Sequence, residues 1–374
     1  MKCSISNIAN VISESIPNPA ESGFDIFVGL EHYDSGEVKV TRYGSTQNLV
    51  TAVKVFRKGD ILLARRNVYL KRAGLVDFDG VTSGDSIVLR VKDDLSSLSL
   101  QSEDIRMYLP FVLNTEEFWN YAEKYSDGTM SKRLSPKTLL QYEFDIPDDV
   151  TEKNRLLWQA YKTKESYKAM ILATDEMVKS QFIARFGTTE QSSFPVKTLR
   201  EISLSSGEYG ANTPATKYNP EKGRYIRITD IDEFGNLNDD RVSPEVADNK
   251  YLLHKGDLLF ARTGATVGKT YLHKTGKALY AGYLIKYQFI DTVLPEFVFA
   301  YTHSKEYYQW VELTQKVGAQ PNISAKQYDG LRIVVPPFEE QKSFVGLMNQ
   351  ADKSKFELKQ AIEKIDKVMR ALMQ

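Results

Sequence analysis

KGDILLAR, Lys58 to Arg65, returns in the second half of the chain as KGDLLFAR, Lys255 to Arg262. Further matches flank it in the same order. FVGLEHYDSGEV (Phe27 to Val38) parallels IRITDIDEFGNL (Ile226 to Leu237), each reading as a strand followed by a glycine-containing turn. NTEEFWNYAEK from Asn114 aligns without gaps to HSKEYYQWVEL from His303. The same register carries Leu134-Ser135 onto Ile323-Ser324, and IPDDVTEK (Ile146 to Lys153) onto VPPFEEQK (Val335 to Lys342). Matches that keep one order along the chain mean a duplicated unit.

Each copy divides in two. The first part is rich in short β-branched and aromatic runs, such as Ile61–Ala64, Ser86–Val91, Tyr225–Thr229 and Leu284–Ile290. Turn clusters such as SIPNPAESG and YNPEKG separate them, which predicts a mixed sheet domain with a few helices. The second part lacks Pro and Gly almost throughout, over Val150 to Phe186 in copy one and Phe338 to Gln374 in copy two. The predicted organisation is a mixed domain over 1–148, a helix over 149–187, a second mixed domain over 188–336 and a second helix over 337–374. The fold class is α+β.

The helical segments carry a seam. In copy two Phe344, Leu347, Ala351, Ser354, Leu358, Ala361, Ile365, Val368 and Leu372 step by three and four, a heptad pattern. Glu339 and Glu340 at its start and Lys367 and Arg370 near its end suit the helix dipole. In copy one Leu157, Ala160, Tyr167, Ile171, Thr174 and Val178 fit, Lys164 intrudes, and Gly187 supplies a C-cap. If the second helix covers its seam on the first, the two run antiparallel. The expected object is then two related domains on a two-helix coiled-coil rod of roughly 45–50 Å, related by a pseudo-two-fold. The alternative is that each seam covers its own neighbouring domain.

ARTGATVGKT, Ala261 to Thr270, resembles a phosphate-binding loop but fails on spacing. That loop needs a glycine, four residues and then Gly-Lys-Ser/Thr, whereas Gly264 and Gly268 are too close and Thr263 stands where glycine is required. No apolar strand ending in an acid follows it, so an NTPase is not indicated. The Pro-Pro-Phe of VPPFEEQ lacks the side-chain acceptor that amino-methyltransferases place before it, since Val335 offers none. His32, His254, His273 and His303 are scattered without metal spacing, and Cys3 has no thiolate companion. No catalytic residue and no metal ligand is assigned.

The 374 residues are 42% hydrophobic and 26% charged, with room for two or three cores. Lys+Arg and Asp+Glu both total 49, so net charge alone points to no partner. A single cysteine excludes an internal disulfide framework and fits a reducing cytoplasm. No apolar run approaches membrane-spanning length, and the N-terminal stretch lacks a signal-peptide core. Charge distribution says more. Leu258 to Ile290 holds Arg262, Lys269, Lys274, Lys277 and Lys286 without one acid. Ile61 to Val76 holds Arg65, Arg66, Lys71 and Arg72, again without one. Interleaved with Tyr69, Tyr271, Tyr280 and Tyr283, these windows fit contact with a polyanion by each copy; solvated basic strand pairs are the alternative.

GDLLFARTGATVGK, VGAQPNIS followed by VPPFEEQK, FVGLEH near the N-terminus and a helix ending KVMRALMQ resemble the specificity subunit of type I restriction–modification systems. The resemblance spans the whole chain, with copy one the more degenerate: RRNVYLKRAG stands in place of RTGATVGK. It implies two target-recognition domains separated by two spacer helices, and no catalysis by this chain. Its implied partners are double-stranded DNA, two methyltransferase subunits that methylate adenine with S-adenosylmethionine, and motor-nuclease subunits that use ATP and Mg. No cofactor is implied on this chain. The DNA would be read as a split, asymmetric target, and half-sites about 34–36 Å apart are within reach of the rod. By position, Arg262, Thr263, Gly264, Thr266 and Lys269 would lie at the DNA face, with Arg65, Arg66, Asn67, Lys71 and Arg72 as counterparts. Leu157, Tyr167, Ile171, Val178, Phe344, Leu347, Leu358, Ile365 and Leu372 would form the spacer seam. A specificity partner of a fused methyltransferase–nuclease, a stand-alone NTPase or methyltransferase, and a coiled-coil scaffold without nucleic acid are the competing readings.

Overall fold

The repeated Lys-Gly-Asp closes a turn in the computed structural model, which describes residues 1–19, 23–128, 131–315 and 321–374. Gly59 and Gly256 sit at φ 90° and 92°, a region that a side chain would strain. The aspartate after each is buried. Asp60 accepts from the Arg57 N–H at 2.8 Å and from two nitrogens of Arg90 at 2.7 Å each. Asp257 accepts from the His254 N–H at 2.9 Å and from Nε2 of Gln288 at 2.8 Å. A buried carboxylate needs such donors to offset its lost hydration. The turn then releases the strand Ile61–Ala64 or Leu258–Ala261, each buried at all four positions.

The chain forms two units, Met1–Ser166 with Ala361–Gln374, and Tyr167–Gln360. In the first, a four-stranded antiparallel sheet runs in the order Ala9–Ile12, Ser86–Val91, Ile61–Ala64, Ala73–Leu75. In the second, Glu208–Tyr209, Leu284–Tyr287, Leu258–Ala261 and Thr270–Leu272 repeat that order. A parallel pair recurs as well: Ile26–Val28 with Gly80–Thr82, and Arg224–Ile226 with Ala278–Tyr280. Each domain ties its ends together, Lys2–Ser4 to Glu143–Asp145 and Val196–Thr198 to Arg332–Val334. Three helices cover each: Ser102–Val112, Glu116–Lys124 and Pro136–Leu140 in one, Pro295–Tyr301, Lys305–Thr314 and Ala325–Asp329 in the other. The aligned N-caps recur: Thr115 accepts from the Phe118 N–H as Ser304 does from that of Tyr307, and Ser135 from Thr138 as Ser324 does from Gln327. The mixed α/β fold expected from the sequence is therefore present in both halves.

Three details differ from the sequence reading. The strand expected at Leu284–Ile290 ends at Tyr287. The match of FVGLEH to IRITDI shifts by one residue, because Val28 and Ile226 hold the same place on their parallel partners, opposite Thr82 and Tyr280. The strand expected at Tyr225–Thr229 ends at Ile226, where the Asp230 carboxylate accepts from the Arg227 N–H at 2.8 Å and folds the chain into a 3₁₀ turn, Ile228–Asp230. Residues 20–22 of the SIPNPAESG cluster and the VGAQ that precedes Pro321 lie outside the described residues.

The long helices span Val150–Phe186 and Phe338–Met373. Gly187, at φ 72°, ends the first by donating its N–H to Ile183 at 2.8 Å. Leu157 is fully buried in the core of the first unit, and Leu372 packs on that core from the end of the second helix. Phe344 and, less deeply, Leu347 and Val178 join the core of the second unit. Tyr167, Ile171, Leu358 and Ile365 are half-buried, and Val368 is exposed. The first unit thus combines the start of one helix with the end of the other, and the second unit the reverse. The intruding Lys164 is accommodated: its Nζ lies 3.0 Å from Asp366 and 3.5 Å from Glu37. In the second unit Lys355 donates to Asp175 at 2.6 Å. The seam therefore covers both its partner helix and the domain cores.

Phe344 meets Phe182, Phe186 and Phe297 in an aromatic cluster, with centroids 5.3, 5.5 and 6.3 Å away. Phe344→Ala is expected to cost about 3–5 kcal/mol, read as a lowered denaturant midpoint for the second unit. His303 gives a pH signature. Burial pushes its pKa below the ordinary value, while Nδ1 donates to the Phe299 carbonyl at 2.9 Å. A depressed folded pKa means that the unfolded chain takes up the proton first, so this contribution is intact above about pH 6.5 and is lost as pH falls. Melting curves from pH 7.5 to 5 should show a smaller acid-side loss in His303→Gln than in the parent.

Candidate nucleic-acid interface

Each buried strand is followed by an arginine, Arg65 or Arg262, and the chain then folds back in a loop. The two loops share several backbone hydrogen bonds, although Lys71 N–H donates to Val68 O where Gly268 N–H donates to Ala261 O. Ala64 N–H donates to Arg72 O at 3.0 Å, as Ala261 N–H does to Lys269 O at 2.8 Å. Leu70 N–H donates to Asn67 O at 2.9 Å, as Val267 N–H does to Gly264 O at 3.2 Å. The loop is fastened from far along the chain. Asn67 N–H donates to Lys132 O and Leu134 N–H to Arg65 O, as Gly264 N–H does to Pro321 O and Ile323 N–H to Arg262 O. RRNVYLKRA and RTGATVGKT therefore superpose without a gap, Arg66 on Thr263 and Arg133 on Asn322.

This register explains the glycines. Gly264 and Gly268 have φ of 70° and 87°, and Asn67 and Lys71 hold the same places at 57° and 48°. Asparagine visits this region readily; lysine does so at a cost on the order of 1 kcal/mol. The glycines thus serve the backbone. The N–H groups of Gly264, Val267, Gly268 and Lys269 all donate to chain carbonyls, of Pro321, Gly264, Ala261 and Thr266. A phosphate-cradling nest would need such amides to converge on a ligand, so the NTP-like appearance of the stretch has no structural counterpart.

Among the side chains the sequence singled out, several are tied to neighbouring groups. Lys71 donates to both oxygens of Glu116 at 2.6 Å. Arg72 donates to the carbonyls of Leu30 at 2.8 Å and Arg66 at 3.2 Å, and burial lowers its pKa. Lys269 donates to Ile231 O at 3.4 Å, Thr266 to Thr263 O at 3.1 Å, and Thr263 is itself buried. Lys286 is buried against Glu208 at 3.2 Å, Lys274 faces Asp352 at 3.9 Å, and Lys277 donates to the Glu221 carbonyl. Tyr280 belongs to the core, whereas Tyr69 and Tyr283 are exposed. The basic windows are thus dispersed, and the strand-end loops keep only part of them.

What the loops do present is compact. The Arg262 guanidinium lies 4.7 Å from the ring centre of Tyr209 and donates to Oδ1 of Asn322 at 3.3 Å. Tyr209 is fixed in turn, its hydroxyl accepting from the Ala325 N–H at 3.0 Å. In the first unit Arg66 donates through Nε to Ser131 at 2.9 Å, and Asp85 lies 3.7 Å from Arg66 and 3.4 Å from Arg133. The Nε atoms of Arg65 and Arg262 are both buried without a hydrogen-bond partner among the described residues. Arg133, Asn322, Asp85 and Tyr209 escaped the sequence reading. The aligned Leu134-Ser135 and Ile323-Ser324 lay one residue away, yet nothing local showed that they return to the arginine. Among the described residues no three His, Cys, Asp or Glu side chains gather as a metal site, and no helix is long and apolar enough to cross a membrane.

Residues 194–367 match the model of the type I restriction modification DNA specificity domain. Two solved chains share the fold over all of this chain and 96% of their own. One, from work on complex assembly and conformational transition of the type I R-M system, is 17% identical with a TM-score of 0.58. The other, the S subunit of the type I restriction-modification system of M. genitalium, is 14% identical with a TM-score of 0.52. No curated protein matches the sequence. Residues 194–367 thus carry the match to the DNA specificity domain, and the chain as a whole shares its fold with these two solved chains.

If the loops meet a polyanion, the guanidinium at the strand end should matter more than a lysine whose charge is already matched by Glu116. In the assembled complex, Arg65→Gln is expected to weaken DNA binding and reduce the slope of log K against log salt by about one. Lys71→Gln should leave that slope unchanged. Titrations at several salt concentrations check both.

Proposed function

We propose that this chain is the DNA-reading subunit of a type I restriction–modification complex, each domain reading one half of a bipartite, asymmetric target. One observation carries the reading: the same arginine-ended strand and back-fastened loop occur once in each unit, with different side chains around them. Two readers built on one frame but dressed differently suit a target whose halves differ. The chain itself is non-catalytic and binds no cofactor. Two methyltransferase subunits supply S-adenosylmethionine-dependent adenine methylation, and motor-nuclease subunits supply ATP- and Mg-dependent cleavage. The long helices set the gap between half-sites and dock the methyltransferases. The complex works in the cytoplasm, where its DNA is. Phosphate contacts position such a reader and base contacts specify its target.

The test is a genome-wide map of adenine methylation with and without the gene. Loss of one bipartite motif on deletion is the expected result, and removing one turn from each long helix should change the gap but neither half. An unchanged methylation map after deletion, or stoichiometric binding of S-adenosylmethionine by the purified chain, would overturn the proposal.

A further inference from the structure

The superposition of the two loops separates what is common to both readers from what differs. Arg65 and Arg262 are common: same strand end, same backbone bonds and a buried, unmatched Nε in each. A residue shared by both readers cannot make their targets differ. Four neighbouring positions do differ, by charge and by shape. Arg66 stands where the second unit has Thr263, and Arg133 where it has Asn322. Asp85 accepts from the Arg65 N–H through its carbonyl, the role Tyr283 plays for Arg262. By strand pairing, Tyr209 takes the place of Ser13: Ile12 lies opposite Val88 and Glu208 opposite Lys286.

The chemistry of the two sets is distinct. In the first unit two half-exposed guanidiniums flank a single carboxylate, each tied through an edge and leaving N–H groups outward. A fixed arginine fork matches O6 and N7 of guanine in the major groove. In the second unit the charges are gone, and Asn322 is oriented because the Arg262 guanidinium donates to its Oδ1. Asparagine held by its oxygen still offers that oxygen's second lone pair and its amide N–H, the pair that adenine N6 and N7 require. Exposed Tyr283 and half-exposed Tyr209 add apolar rims of the kind that meet a thymine methyl.

We infer that Arg65 and Arg262 are sequence-neutral positioning contacts, and that the positions around them set base choice. Arg66 and Arg133 select guanine in the half-site of the first unit, and Asn322 selects adenine in that of the second. This rests on the two-reader function proposed above.

The experiment maps methylation motifs in cells carrying the full complex with a substituted chain. Arg133→Asn should relax or change a guanine in one half of the motif, with roughly ten- to hundredfold loss of discrimination there, and leave the other half intact. Asn322→Ala should do the same to an adenine in the opposite half. Arg65→Gln should lower methylation at all sites and leave the motif unchanged, whereas Arg262→Gln should also loosen the adenine choice, because its guanidinium orients Asn322. Should Arg133→Asn fail to assemble, the exposed Arg66→Gln carries the same expectation for the same half. The assignment is overturned if the Arg133 and Asn322 variants methylate a motif identical to the parent's, if Arg133 and Asn322 act on one half, or if Arg65→Gln rewrites the motif. A parent chain with no bipartite motif would instead refute the two-reader function itself.

Discussion

Two long-range backbone hydrogen bonds fasten the strand-end loop in each domain: Asn67 N–H to Lys132 O and Leu134 N–H to Arg65 O in the first, Gly264 N–H to Pro321 O and Ile323 N–H to Arg262 O in the second. Without them the loop after the buried strand would be a free hairpin end. With them it is pinned between its own strand and the segment leading into a Ser-capped helix, at Ser135 or Ser324. The arginine at the strand end is then held by its backbone on both sides. Its side chain is aimed by packing, most clearly where Tyr209 lies under Arg262. A contact surface built this way starts pre-ordered, and binding need not supply the entropy of ordering it.

The same frame tolerates different chemistry because the frame is backbone. Asn67 and Lys71 adopt the left-handed conformations that Gly264 and Gly268 adopt in the other copy, and the loop is fastened to the same distant segment. Asp60 and Asp257 close equivalent turns with different partners, an arginine fork in one and a glutamine amide in the other. Duplication followed by side-chain divergence on a fixed backbone is a direct route from one loop to two with different chemistry.

How much was legible in the sequence follows from the range of each interaction. The long helices could be read because their periodicity, dipole charges and Gly187 cap are local. Buried strands such as Ile61–Ala64 and Ser86–Val91 were equally visible as apolar runs. The arginines were legible only through the repeat. Their neighbours Arg133 and Asn322 were not, because those reach the loop through bonds that span some sixty residues of chain. Charge windows misled in part for the same reason: Lys71 and Lys286 meet Glu116 and Glu208, acids outside the windows. The one-residue shift at Val28 and Ile226 reflects strand pairing, which similarity of short stretches does not encode.

Lys164 shows how context turns an apparent flaw into a joint. Alone in an apolar seam it looks unfavourable, yet it lies between Glu37 of the domain and Asp366 of the second helix. Such a pair specifies register more than it stabilises. In the proposed function each unit presents its loop to a different stretch of one DNA. The most direct measurement is photocrosslinking in the assembled complex from a benzoyl-phenylalanine placed at exposed Tyr69 or exposed Tyr283. Crosslinks from the two positions should map to opposite halves of the methylated motif. Crosslinks to the same half, or none from either position on a bound target, would contradict it.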